Sequence, residues 1–100
     1  MQTTELKKLT IIGEAVLESR LLEDLRRTGA KGWTISEVRG RGSRGLSTVD
    51  PTGAQIRIES IVAEGVSQRV LELLARDYFA HYAVISWVET VHVVRGDKYC

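Results

Sequence analysis

One hundred residues, 43% apolar and 27% charged, make a single domain (residues 1–100) with apolar material for one core and too much of it for a disordered segment. A formal net charge of +1 excludes a generally basic nucleic-acid coat, so any electrostatic specialisation is local. The single cysteine, Cys100, excludes an internal disulfide framework and paired-cysteine metal or redox motifs, and no apolar run approaches the roughly 18 residues of a membrane span.

The N-terminal "MQTTELKKLTIIGE" carries too short an apolar run for a signal peptide, which predicts a cytoplasmic protein. "KKLTIIGE" reads as a first strand, β-branched at its centre. In "EAVLESRLLEDLRRTG" the period changes: Leu17, Leu21, Leu22 and Leu25 form one helical stripe, with Gly29 in the stop position. "GWTISEV" alternates as a second strand. After a long polar run, "QIRIESIVA" puts Ile56, Ile58, Ser60 and Val62 on one face of a third. "EGVSQRVLELLARDYFAHY" is a second helix, with Val66, Val70, Leu73, Leu74 and Asp77 at helical spacing and Ser67 as its cap. "AVISWVETVHVVRG" is a long last strand, predicted to bulge around Glu89 and Thr90.

The order β-α-β-loop-β-α-β predicts an α+β, ferredoxin-like fold: a four-stranded antiparallel sheet with two helices on one face. Val84, Ile85, Trp87, Val88, Val91, Val93 and Val94 leave apolar residues on both faces of the last strand, yet two helices cover one face only. Another copy of the chain is the simplest cover, so a homo-oligomer is expected.

The polar run "RGRGSRGLSTVDPTGA" exceeds the about 12–15 residues beyond which an unstructured loop tends to be functional or disordered. Gly40, Gly42 and Gly45 permit close backbone approach, so that successive N–H groups can converge on an anion. The hydroxyl of Ser43 adds a donor and the guanidinium of Arg44 a bidentate fork, while Arg39 and Arg41 add charge against Asp50 alone. A phosphate-bearing ligand fits this chemistry. On pattern alone the same run also reads as a solvated hairpin tip, and it is no Walker A motif, because it joins two strands.

"GAKGWTISEVRGRGSRG" resembles the PII signal-transduction superfamily, and "GAKGWT", "GRGSR" and "DYFAHYAVISWVETV" are similar to segments of its cyanobacterial SbtB type, through nearly the whole chain in the same order. The resemblance implies a homotrimer that binds adenine nucleotides (cyclic AMP, AMP, ADP, ATP, the last with or without a divalent cation) in clefts between neighbours. It also implies a partner, the sodium-dependent bicarbonate transporter SbtA of the carbon-concentrating mechanism, which would hold the protein at the inner face of the cytoplasmic membrane. The T-loop, about Gly40 to Gly53, would report the nucleotide to the transporter through Arg41, Gly45, Leu46, Ser47, Thr48, Val49 and Asp50. Carried across by motif, Thr34 lies near the adenine, Gly40 and Gly42 form the T-loop base, and Ser43 and Arg44 face the phosphates. Val84 falls where a backbone carbonyl of the adjoining subunit reads the adenine amino group, and Arg95 matches a phosphate-binding arginine. The chain departs from the type at "GLS", where a second arginine often follows, and at "DKYC", where some relatives continue into a loop closed by two cysteines.

Other functions of this fold fit less well. RNA-binding modules stack bases on aromatics of the third strand, and "QIRIESIVA" has none, so no nucleic-acid partner is expected. Metal carriers of this fold need paired cysteines. No catalytic constellation stands out, and the enzymatic alternative is a slow nucleotide hydrolase with Glu14 or Glu59 holding a cation. His81 and His92 suggest no metal site, Trp33 and Trp87 read as core or subunit-interface residues, and Cys100 as a free terminal thiol. The mechanism expected is linkage: a nucleotide bridging two subunits favours one T-loop arrangement, which the partner binds differently from the others.

Overall fold

The computed structural model describes residues 1–40 and 54–100, and its elements follow the predicted order. Strand β1 spans Thr4–Glu14, helix α1 Glu18–Thr28, β2 Thr34–Val38, β3 Gln55–Val62, α2 Glu64–Asp77 and β4 Ile85–Val93. Short 3-10 turns sit at Ala15–Leu17 and Gly96–Lys98. The strands form one antiparallel sheet in the order β2-β3-β1-β4, so β1 and β3 are central and β2 and β4 are the edges. This is the ferredoxin-like architecture.

Strand alternation divides the sheet. Leu9 and Ile11 of β1, with Ile56, Ile58 and Val62 of β3, join Leu17 of the first 3-10 turn, Leu21 and Leu25 of α1 and Val70 and Leu74 of α2 in one core. Ser60, on the same row of β3, is buried with them, as its spacing predicts. Gly29 ends α1 at φ +120, and its N–H donates to the carbonyls of Leu25 and Arg26, both at 3.2 Å.

Several boundaries and one cap differ from the sequence reading. β1 starts at Thr4, earlier than "KKLTIIGE", because Thr4, Glu5 and Leu6 pair with Val93, His92 and Val91 of β4. α2 starts at Glu64 with Ala63 as its extended N-cap residue, so Ser67 is not the cap. Ser67 is instead buried inside the helix, where its hydroxyl donates to the Glu64 carbonyl at 2.6 Å. The helix ends at Asp77, whose carboxylate is tied to Arg76, and "YFAHY" forms turns. The bulge expected at Glu89 and Thr90 is not there: the two residues stay in register with Lys8 and Lys7. Opposite charge faces Glu89 across the ladder, and Lys7 Nζ donates to Thr90 Oγ1 at 2.7 Å.

Tyr78, just past α2, is fully buried, a position that the helical spacing does not single out. Its hydroxyl donates to Asp24 Oδ2 at 2.5 Å, and the Arg20 guanidinium lies 4.5 Å from the ring centroid. Burial, then the bond to Asp24, pushes the phenol above the usual 10.0. A raised folded value means that this contribution is whole below pH 10.0 and is lost as pH rises through the folded value. Tyr78→Phe is expected to cost about 1 kcal/mol near neutrality and to show a shallower alkaline loss than the parent. Urea midpoints near neutrality and above the ordinary tyrosine value check this. Equal alkaline slopes in both proteins would remove Tyr78 as the titrating group.

Among the described residues no helix is long and apolar enough to cross a membrane.

Candidate nucleotide site and the open sheet face

The predicted ligand residues that the structure describes lie on opposite edges of the sheet. Thr34 is the exposed first residue of β2, opposite Glu59 of β3, and Gly40 is exposed just beyond the other end of β2. Val84 is buried immediately before β4, where the missing side chain of Gly13 leaves room for it. Arg95 is exposed just after β4. Three strand spacings of about 4.8 Å put the two edges roughly 14 Å apart, so a single chain does not bring these residues together.

The edge after β4 has a defined backbone. Arg95 adopts the left-handed conformation at φ 64, uncommon for a side-chain-bearing residue, and its carbonyl accepts the Lys98 N–H at 3.1 Å. A Cβ on the next residue, Gly96, would stand 2.5 Å from Cβ and Oγ1 of Thr4, so the turn can lie against β1 only with glycine there. Lys31 Nζ, from the connection between α1 and β2, donates to the Cys100 carbonyl at 2.9 Å, and the Cys100 thiol is free. Neither Lys31 nor Gly96 stands out in the sequence, where glycine after a strand-end arginine is the one visible signal. Gly40, by contrast, has no atom of the described residues within 4 Å of where a Cβ would be.

The sheet face away from the helices carries Ile12, Ile85, Trp87 and Val91 around a charged centre. Ile85 is 56% and Trp87 41% exposed, so Trp87 belongs to this open face and not to the core. Trp33, 36% exposed, is not in the core either. Thr10 Oγ1 and Arg57 Nε on this face are buried with no hydrogen-bond partner among the described residues.

Glu59 belongs to the same face, 2.8 Å from Lys8 Nζ and 3.9 Å from Arg57 Nε. The Lys8 hydrogen bond, reinforced by both positive charges, holds its carboxyl below the usual range. Its oxygens already face two cations. Glu14 pairs with Gln55 and Glu59 with Thr10, four positions apart along the ladder, so the two acids do not converge. Among the described residues no three His, Cys, Asp or Glu side chains cluster as a metal site would require.

Arg41, Gly42, Ser43, Arg44, Gly45, Leu46, Ser47, Thr48, Val49 and Asp50 lie outside the described residues.

The family model for nitrogen regulatory protein P-II matches residues 6–98. The chain belongs to the P-II family. A P-II relative in structure is a PII-like signalling protein from Thermus thermophilus, 49% identical over 100% of both chains with a TM-score of 0.87. CPII of Thiomonas intermedia bound to ADP, AMP and acetate is 29% identical, covers 99% of this chain and 98% of its own, and has a TM-score of 0.87. The same protein bound to ADP and bicarbonate is 30% identical, at 99% and 98% coverage and a TM-score of 0.86. The ATP complex of GlnK from B. subtilis, at 18% identity and a TM-score of 0.65 over 87% of this chain and 82% of that one, shares the P-II fold.

Proposed function

We propose that the chain is a non-enzymatic P-II-type sensor that forms a trimer and binds adenine nucleotides between neighbouring subunits. The observation that carries this reading is the separation of the site: Thr34 and Gly40 flank one edge strand, while Val84 and Arg95 flank the other. Such halves become one cleft when the β2 edge of one copy meets the β4 edge of the next. Family membership and the CPII complexes with ADP and AMP support the same ligand class. The open face of Ile85, Trp87, Ile12 and Val91 gives the copies a surface to bury, and it leaves Thr10 Oγ1 and Arg57 Nε to find partners across it.

In this cleft Thr34 and the backbone at Val84 read the adenine, while Gly42, Ser43, Arg44 and Arg95 take the phosphates. The T-loop then answers to the number of phosphates and presents the outcome to a partner. By its resemblance to the SbtB type that partner is the transporter SbtA, bound at the membrane, with cyclic AMP among the signals. Binding is reciprocal: a partner that selects one nucleotide state tightens that nucleotide by the same factor.

The test is calorimetric titration with AMP, cyclic AMP, ADP and ATP, the last two with and without magnesium, and each repeated in bicarbonate. The expected result is one nucleotide per subunit. Arg44→Ala is expected to weaken ATP and ADP more than AMP while leaving the trimer intact, by roughly tenfold or more for a charge-assisted phosphate contact. Unchanged affinities in this variant would remove Arg44 from the site. CPII with ADP and bicarbonate together favours a second reading, in which bicarbonate is itself a co-ligand. A bicarbonate-dependent ADP affinity would select it, whereas capture of SbtA that is released by one particular nucleotide would select the transporter reading.

A further inference from the structure

On the inward row of β3, Ile56, Ile58 and Val62 are aliphatic and Ser60 is not, although it is only 2% exposed. A hydroxyl in that position is costly unless satisfied. Ser60 Oγ donates to the carbonyl oxygen of Gly32 at 2.6 Å. Gly32 lies in the connection between α1 and β2, which is anchored on one side by buried Ala30 and followed by Trp33 and Thr34. The β2–β3 ladder begins only at Thr34, opposite Glu59, the residue before Ser60. The Ser60 bond therefore holds the chain two residues before the ladder begins, and with the Lys31 bond to Cys100 it fixes that connection at two points.

We propose that Ser60 is a positioning residue for the adenine end of the cleft: its buried hydroxyl fixes the Gly32 carbonyl and thereby the backbone that presents Thr34 at the sheet edge. This rests on the nucleotide reading given above. Ser60 touches no ligand itself, and its effect is transmitted through two residues of backbone. The adenine end is common to AMP, ADP and ATP, so a fault there weakens all three alike, whereas a fault at a phosphate ligand grows with the number of phosphates.

The variants are Ser60→Ala, which removes the donor, and Ser60→Cys, which keeps the volume with a much weaker one. Both are compared with the parent by light scattering, by titration with the three nucleotides, and by amide hydrogen exchange in the nucleotide-free protein. The expected result is an intact trimer, affinities about tenfold weaker by one common factor, and faster exchange at Trp33 and Thr34. Parental affinities in a folded variant, or a loss that scales with phosphate number, would overturn the proposal. If the parent itself binds none of the three, the nucleotide reading falls and takes the adenine role with it. Unchanged exchange at Thr34 in Ser60→Ala overturns the positioning role whatever the ligand.

Discussion

Placing acids at two points of the open sheet face, Ile85→Glu with Trp87→Glu, is expected to give a folded monomer that no longer binds nucleotide. The two side chains are 56% and 41% exposed in the isolated chain and lie opposite Ile12 and Thr10 of β1, so charging them leaves the helix-side core of Leu9, Ile11, Ile58 and Leu74 untouched. In an assembly built on this face, each copy loses two apolar contacts, each worth about half of the roughly 1.5–3 kcal/mol for complete burial because both side chains are already half-buried. It also gains two carboxylates whose removal from water is costly. Those penalties recur at every subunit contact. Nucleotide binding goes with the assembly because Thr34 and Gly40 stand on the β2 edge and Val84 and Arg95 on the β4 edge. Light scattering, circular dichroism and titration on one preparation decide the matter. A trimer that survives both charges would show that the interface lies elsewhere. A monomer with parental affinity would show that the site is not split between subunits.

What the sequence discloses about this protein is whatever depends on periodicity. The leucine stripe Leu17, Leu21 and Leu25, the row Ile56, Ile58, Ser60 and Val62, and the stop at Gly29 are all where their spacing puts them. Each is a local pattern answering to one buried face. Features that depend on a distant partner are not legible in this way. Thr4 to Leu6 extend β1 only because β4 is there to pair with them, and Glu89 and Thr90 stay unbulged because Lys8 and Lys7 face them. Ser67 has the side chain of a cap, but the chain turns into α2 at Ala63, four residues earlier, and the hydroxyl serves the Glu64 carbonyl instead. The site shows the same division. Thr34, Val84 and Arg95 can be matched by motif, whereas their placement on opposite edges follows from strand order, which no single segment encodes. Lys31, Gly96 and Ser60 act through contacts 28 to 92 residues away in sequence, with Cys100, Thr4 and Gly32, and these contacts leave no periodic trace.

Leu74→Ala is expected to be the most damaging single change in the core and to be partly rescued by ligand. Leu74 is 1% exposed and packs with Ile11, Leu21, Leu25, Val70 and Leu73 in the gap between α1, α2 and the sheet. Inward movement of either helix is resisted because the same core holds Leu17 and Leu21 at the start of α1, and Val70 within α2 and Tyr78 just past its end. Truncation therefore leaves most of the cavity open, at a cost of about 2–5 kcal/mol. For a domain of this size each kcal/mol corresponds to roughly 4–8 °C in Tm. The midpoint of a trimer also depends on concentration, so parent and variant are compared at equal subunit concentration. A nucleotide that binds only the folded assembly, supplied at a hundred times its dissociation constant, adds about 2.7 kcal/mol per site to parent and variant alike. Thermal scans with and without AMP separate the two contributions. A loss below about 1 kcal/mol would mean that the helix pair collapses onto the vacancy. A large loss with no recovery by AMP would mean that the damaged core no longer supports the edges on which Thr34 and Val84 are carried.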